Sequence, residues 1–168
     1  MNLSIKKSIA IIILVSLIPI CSAYSKSVGI FLFNSKLLKN DDSKVQQYMP
    51  QITTKENLII KNTNNNEELI YEIKSKKNDL DMAIKSLRVK DYNVALQLSE
   101  EIKQYVSKGQ TLDQNIDNIK ENIKIDGKKH DYASLISHMD SVINLQNAKY
   151  NFLKEADLNL DLALEALK

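Results

Sequence analysis

Beyond residue 66 the apolar positions of this chain recur at intervals of three, four and seven. Leu69, Ile73, Leu80, Ile84 and Leu87 form one stripe. Glu67 and Glu68 precede it, and acids suit the first turn of a helix because its N-terminus carries partial positive charge. Asp91 is placed to cap a second helix that carries Tyr92, Ala95, Leu96, Ser99, Ile102 and Val106 on one side. Gly109 then supplies the left-handed residue that commonly terminates helices. Thr111-Leu112-Asp113-Gln114 has the pattern of a capping box and opens a third helix with Leu112, Ile116, Ile119 and Ile123 inward, which Gly127 ends. Asp131 caps a fourth, with Tyr132, Leu135, Ile136, Met139, Val142 and Ile143 inward. A fifth, starting between 144 and 148, carries Phe152, Leu153, Ala156, Leu160, Ala163, Leu164 and Leu167. The pattern predicts an all-α fold of antiparallel helical hairpins, about five helices over residues 67 to 168.

Composition agrees with helix. The chain has 3 glycines and 2 prolines in 168 residues, too few turn formers for an all-β protein. Residues 24 to 66 are harder to place. Val28-Gly29-Ile30-Phe31-Leu32-Phe33 is a short apolar run that suits a strand, a docking segment or a helix. Pro50 breaks the stretch farther along, and Asn62-Thr63-Asn64-Asn65-Asn66 reads as a polar linker. Residues 24 to 66 are expected to be a partly ordered leader, either packed loosely on the helical domain or tethering it to a membrane. An added helix or strand that completes the fold is the other reading.

The first 23 residues have the layout of a secretory signal. Lys6 and Lys7 form a positive start, residues 9 to 20 are almost unbroken apolar sequence, and Cys21-Ser22-Ala23 supplies small residues for cleavage. Two processing routes stand. Cleavage after Ala23 removes the single cysteine, whereas cleavage before Cys21 leaves it as the acylated residue of a lipoprotein, although Ile20 is larger than that route normally accepts. In neither case does the processed chain form an internal disulfide. Any membrane contact is expected only through a signal anchor or a lipid on Cys21.

Export also changes the charge balance. With Lys6 and Lys7 removed, 21 basic side chains face 21 acidic ones, and Arg88 is the only arginine. Nucleic-acid binding needs clustered cations against phosphate, and this composition supplies none.

Two echoes share one period. Lys90-Asp91-Tyr92-Asn93-Val94-Ala95-Leu96 returns about forty positions later as His130-Asp131-Tyr132-Ala133-Ser134-Leu135-Ile136. Asp81-Met82-Ala83-Ile84-Lys85-Ser86-Leu87-Arg88 returns at twice that spacing as Asp161-Leu162-Ala163-Leu164-Glu165-Ala166-Leu167-Lys168. Over residues 83 to 102 the chain resembles the tetratricopeptide repeat family, in which an Asp-Tyr turn lies between two small residues where helices cross. Ala83 and Ala95 match the small positions, and Lys90-Asp91-Tyr92 matches the turn with Lys90 in place of glycine. Leu135 stands where the second unit should have its alanine, and the period is longer than that family's. The resemblance implies stacked hairpins that bind protein, with Ala83, Leu87, Tyr92, Ala95, Tyr132 and Leu135 as packing residues. A plain antiparallel bundle is the alternative, and a helical surface lipoprotein similar to those of Borrelia-like spirochaetes is the alternative in function.

Side chains suited to chemistry are sparse. His130 and His138 lie about 12 Å apart along one helix and cannot share a metal ion. No nucleophile motif or phosphate-cradling glycine pattern occurs, and paired acids such as Glu100 with Glu101 point to different faces. No catalytic residue, metal site or cofactor is expected. Function is expected at surfaces, with a protein partner or self-association. Candidate positions are Lys74, Lys77, Asn78, Asp81, Lys85, Gln114, Asp117 and Lys124, together with Leu158 and Leu162, which make the last helix apolar around much of its circumference. A segment at 28 to 33 or another chain is expected to cover that face. The sequence therefore predicts an exported, non-enzymatic interaction or assembly module of a bacterial cell envelope.

Overall fold

The computed structural model describes residues 43 to 85 and 92 to 166, and all but two of these are helical. The signal, the leader up to 42, and Leu87 lie outside the described residues. The helices are α1 (Ser43–Lys85), α2 (Tyr92–Lys129) and α3 (Tyr132–Ala166). Among the described residues there is no strand.

Three long helices stand where the expected breaks would have cut shorter ones. Gly109 lies buried inside α2, and no described glycine takes a positive φ. Thr111 therefore opens no helix. Residues 144 to 148 lie within α3, and the supposed linker at 62 to 66 lies within α1, which also contains Pro50.

A single periodicity explains why the helices pass through these points. In α1 the buried positions Val45, Ile52, Ile59, Asn66, Ile73 and Leu80 are spaced by seven. In α3, Tyr132, Leu135, Met139, Val142, Gln146, Lys149, Leu153, Ala156, Leu160 and Ala163 are all buried, with steps alternating between three and four. In α2, Ile102, Gly109, Ile116 and Ile123 again advance by a step of seven. This is the heptad seam of coiled coils, whose faces stay in contact as the helices supercoil. Asn66 and Gly109 keep their places on the seam, so neither ends its helix.

The chain folds into two compact units, each containing a segment of all three helices. The first comprises residues 43 to 66 with Thr111–Tyr150. Its core is Val45, Ile52, Ile59, Ile116, Ile123, Tyr132, Leu135, Met139, Val142 and Ile143, with Tyr48 tilted against Tyr132 at 5.8 Å between ring centroids. Burying side chains of this size contributes about 1.5–3 kcal/mol each. Lys55 bonds to Asp140, and Asn62 to Asn147 at 3.0 Å, both at a sequence separation of 85, so α1 and α3 run parallel here. Between α2 and α3 the order reverses: His138 meets Asp126 and Lys149 meets Asp113, an antiparallel pair.

That hairpin closes in two residues. His130 takes a φ of 60°, the left-handed conformation glycine usually supplies at a helix end. Its N–H bonds to the Gly127 carbonyl at 3.3 Å and the Asp131 N–H to the Asp126 carbonyl at 3.0 Å, the paired bonds of a Schellman motif. Asp131 simultaneously caps α3, its carboxylate accepting from the Ser134 N–H at 3.1 Å. These bonds pull the Asp131 carboxyl below the ordinary aspartate value, the backbone N–H of Ser134 first and its hydroxyl second. Helix α2 thus continues past Gly127, and His130 makes the turn.

The second unit comprises residues 67 to 85, 92 to 110 and 151 to 166. Leu69, Ile70, Ile73 and Leu80 of α1, Leu98, Ile102 and Val106 of α2, and Leu153, Ala156, Leu160 and Ala163 of α3 are buried in it. Lys76 bridges Asp157 at 2.8 Å and Asp161 at 2.7 Å, the latter again at a separation of 85. Burial pulls the Lys76 ammonium down, but its hydrogen bonds to Asp157 and Asp161, with their charges, outweigh this and raise it above the ordinary lysine value. Tyr105 and Phe152 lie 6.3 Å apart with the Lys108 ammonium over both rings.

Candidate functional site

Two features rise from these helices: a polar layer in the first unit and an outward apolar pair in the second. The layer lies one heptad beyond the apolar core of the first unit. Asn66 donates to the backbone carbonyl of Gln146 at 3.2 Å. Gln146 donates in turn to the Ile59 carbonyl at 3.2 Å and to Thr63 Oγ1 at 2.9 Å. Next to Gln146 on the α3 seam, Lys149 reaches Asp113 at 2.6 Å. Asn66, Gln146 and Lys149 are each buried. No protein group donates to the carbonyl oxygens Asn66 Oδ1 and Gln146 Oε1.

The apolar pair is Leu158 and Leu162, 53% and 46% exposed, one turn apart on α3. Leu158 lies two positions from each of the seam residues Ala156 and Leu160, which places it on the outward side of the helix. Lys154, Glu155, Asp161 and Glu165 are exposed in the same turns, so the surroundings are mainly acidic. On α1 of the same unit, Tyr71 and Met82 are also exposed.

The other candidates are spread along all three helices. Tyr132 and Leu135 are buried together in the first unit's core, while Ala83 is half-buried near the end of α1. Tyr92 and Ala95 belong to the first turn of α2. Lys77 is buried and not part of a solvent-facing surface, the stem of a lysine being long enough to pack along apolar neighbours. Lys74 is half-buried and Asn78 exposed on α1, and Asp81 and Lys85 occupy its final turns. Gln114, Asp117 and Lys124 are exposed on α2 in the first unit, with Asp117 paired to Lys120 at 3.2 Å and Lys124 to Glu121 at 2.6 Å. The candidate surface residues are thus divided between the units.

Of the two histidines, His138 bonds to Asp126 at 2.6 Å and His130 to the Tyr132 hydroxyl at 2.9 Å. Among the described residues no group of three or more His, Cys, Asp or Glu side chains could hold a metal ion, and no helix is long and apolar enough to cross a membrane. The sequence reading missed the polar layer, whose signal was the seven-residue step from Ile59 through Asn66 to Ile73.

No protein-family model, curated protein or solved structure matches this chain.

Proposed function

We propose that the chain is an exported, non-enzymatic interaction or assembly module of a bacterial cell envelope, and that the outer face of α3 in the second unit meets its protein partner. The observation that carries this reading is the exposure of Leu158 and Leu162 on a helix whose seam residues are all buried. The charged side chains that could take part in chemistry serve other ends: Lys149 ties to Asp113, His138 to Asp126, and Lys76 to Asp157 and Asp161. A partner presenting an apolar ridge flanked by basic groups matches both the leucines and the acids around them. The stacked-hairpin reading derived from the tetratricopeptide resemblance needs helix ends at Gly109 and near 144 to 148, and both stretches are helical. A plain bundle of long helices has more support.

The test is a photo-reactive amino acid at Leu158, compared with one at Asn78, in cells producing the full chain. The reading expects a protein adduct at 158, its loss on Leu162→Ser, none at 78, and a mature N-terminus at Tyr24 or a lipid-bearing Cys21 by mass spectrometry. An intact Met1 terminus in the cytoplasm, or equal adducts at both sites, would overturn it. A lipid on Cys21 would favour the surface-lipoprotein version, with a host molecule as partner.

A further inference from the structure

Near the end of α2, in the first unit, Ile125 is 45% exposed among cations. Lys128 and Lys129 follow it by three and four positions, which places them in the next turn, one on each side of it. Both are exposed, and neither forms an ion pair among the described residues. Lys129 helps depress the Asp131 carboxyl, but that carboxylate is already taken by the Ser134 N–H. Lys124, next to Ile125, pairs with Glu121 at 2.6 Å. Lysines suit a helix C-terminus, yet that does not account for an isoleucine exposed between them. Among the exposed large apolar residues Leu58, Tyr71, Met82, Ile125, Leu158 and Leu162, Ile125 is the one followed by lysine at both positions.

The outer face of α3 in the second unit has the complementary arrangement. Glu155 lies three positions before Leu158 and Glu165 three after Leu162, both exposed, so acids bracket the leucines along one side of the helix. Asp161 beside them is held by Lys76, whereas Glu155 and Glu165 form no ion pair among the described residues. We infer that these surfaces are the two halves of one interface, in which the α2 end of one copy docks on the outer face of α3 of the next. The inference rests on the reading that this face meets a protein partner, and it names that partner as a second copy of the chain. The partner the face calls for, an apolar ridge flanked by basic groups, is present on the chain itself. Both halves are exposed in the single chain, so neither is used within it. With Ile125 seated between Leu158 and Leu162, the two lysines diverge toward Glu155 and Glu165, and the opposite charges align the copies on approach. Two different surfaces of one chain make a head-to-tail contact, which repeats from copy to copy as a ring or a filament. Its apolar centre is formed by Ile125, Leu158 and Leu162 alone, so each contact is weak and assembly depends on concentration.

Sedimentation of the full chain, purified as the cell processes it, tests the pairing. The parent should associate as its concentration rises and dissociate in high salt. Lys128→Glu with Lys129→Glu should weaken association by roughly tenfold or more, and so should Glu155→Lys with Glu165→Lys, because like charges then meet across the interface. Each of these variants keeps one intact surface, so a mixture of the two should give dimers and nothing larger. All four changes in one chain restore opposite charges and should restore association. Ile125→Ser, with every charge retained, should weaken it too. A parent that stays monomeric up to about 1 mM, or charge reversals that leave association unchanged, would overturn the inference. Cross-linking from position 158 separates it from the reading on which it rests. An adduct to the α2 end of a second copy supports both, an adduct to a different protein overturns this inference alone, and no adduct overturns both.

Discussion

Lys149 donates to Asp113 at 2.6 Å between α3 and α2, and both side chains are largely withdrawn from water at 7% and 15% exposure. Removing Asp113 takes an anionic partner from a poorly hydrated ammonium, and removing Lys149 takes the cation from a poorly hydrated carboxylate. Asp113→Ala is expected to destabilise the fold by about 3 kcal/mol, and the pair Asp113→Leu with Lys149→Leu by markedly less, since replacing both charges removes the desolvation penalty as well. Urea melts of the two variants read the difference directly. Equal losses would mean that the attraction, not the stranded charge, dominates.

The core of the first unit makes a second comparison. Leu135 is fully buried beside Met139 and Tyr132, whereas Leu158 is half exposed. Leu135→Ala should cost about 2–5 kcal/mol. Leu158→Ser should stay within about 0.5 kcal/mol if the surface of α3 contributes to binding and not to folding. A large loss at 158 in the isolated protein would show that this face is already in use within the fold.

Asn64 and Asn65 are exposed in the middle of α1. Asparagine is a poorer helix former than alanine because its side chain competes for backbone hydrogen bonds. Asn64→Ala and Asn65→Ala should each raise stability by about 0.5 kcal/mol and leave other properties unchanged. Thermal melts that do not move would argue that the helix is not continuous through this stretch.

Two titrations act at opposite ends of the pH scale. The Asp131 carboxyl is depressed by the Ser134 N–H and hydroxyl, so its contribution is complete above the ordinary aspartate value and is lost as pH falls through the depressed one. For Lys76 the partners Asp157 and Asp161 outweigh burial and raise the ammonium. Its contribution is complete below the ordinary lysine value and is lost as pH rises through the raised one. Asp131→Asn should flatten the acid limb of a stability–pH curve and Lys76→Gln the alkaline limb. A reversal of these assignments would contradict the contacts described.

Much of the helical character was legible in the chain, because the apolar steps of three and four are the same in sequence and in space. The stripe from Leu69 to Leu80 is buried as the spacing predicts, and so is that from Tyr132 to Ile143 except for the partly buried Ile136. The starts of α2 at Tyr92 and of α3 at Tyr132 were legible, but the breaks expected inside the long helices were not there. Gly109 and residues 62 to 66 carry strong local signals for an end and a linker, yet the heptad seam runs through both, and packing outweighs propensities worth about 1 kcal/mol or less per residue. The two-residue turn was half visible: Asp131 was readable as a cap, but a histidine in the left-handed role normally taken by glycine was not. The Asn66–Gln146 layer depends on partners about eighty positions apart, which local reading cannot reach.

The same turn sets a timetable. Contacts across the α2–α3 hairpin of the first unit join residues as few as 12 apart, while those between α1 and α3 wait for residues 85 farther along. Closing the shorter loops is faster, so the hairpin should assemble first and α1 dock last. A growing or threading chain, however, presents α1 first. Its apolar stripe must therefore stay solvated, or be held by a chaperone, until the whole of α3 has emerged. The asparagines that made residues 62 to 66 read as a linker then help keep the helix solvated during that wait.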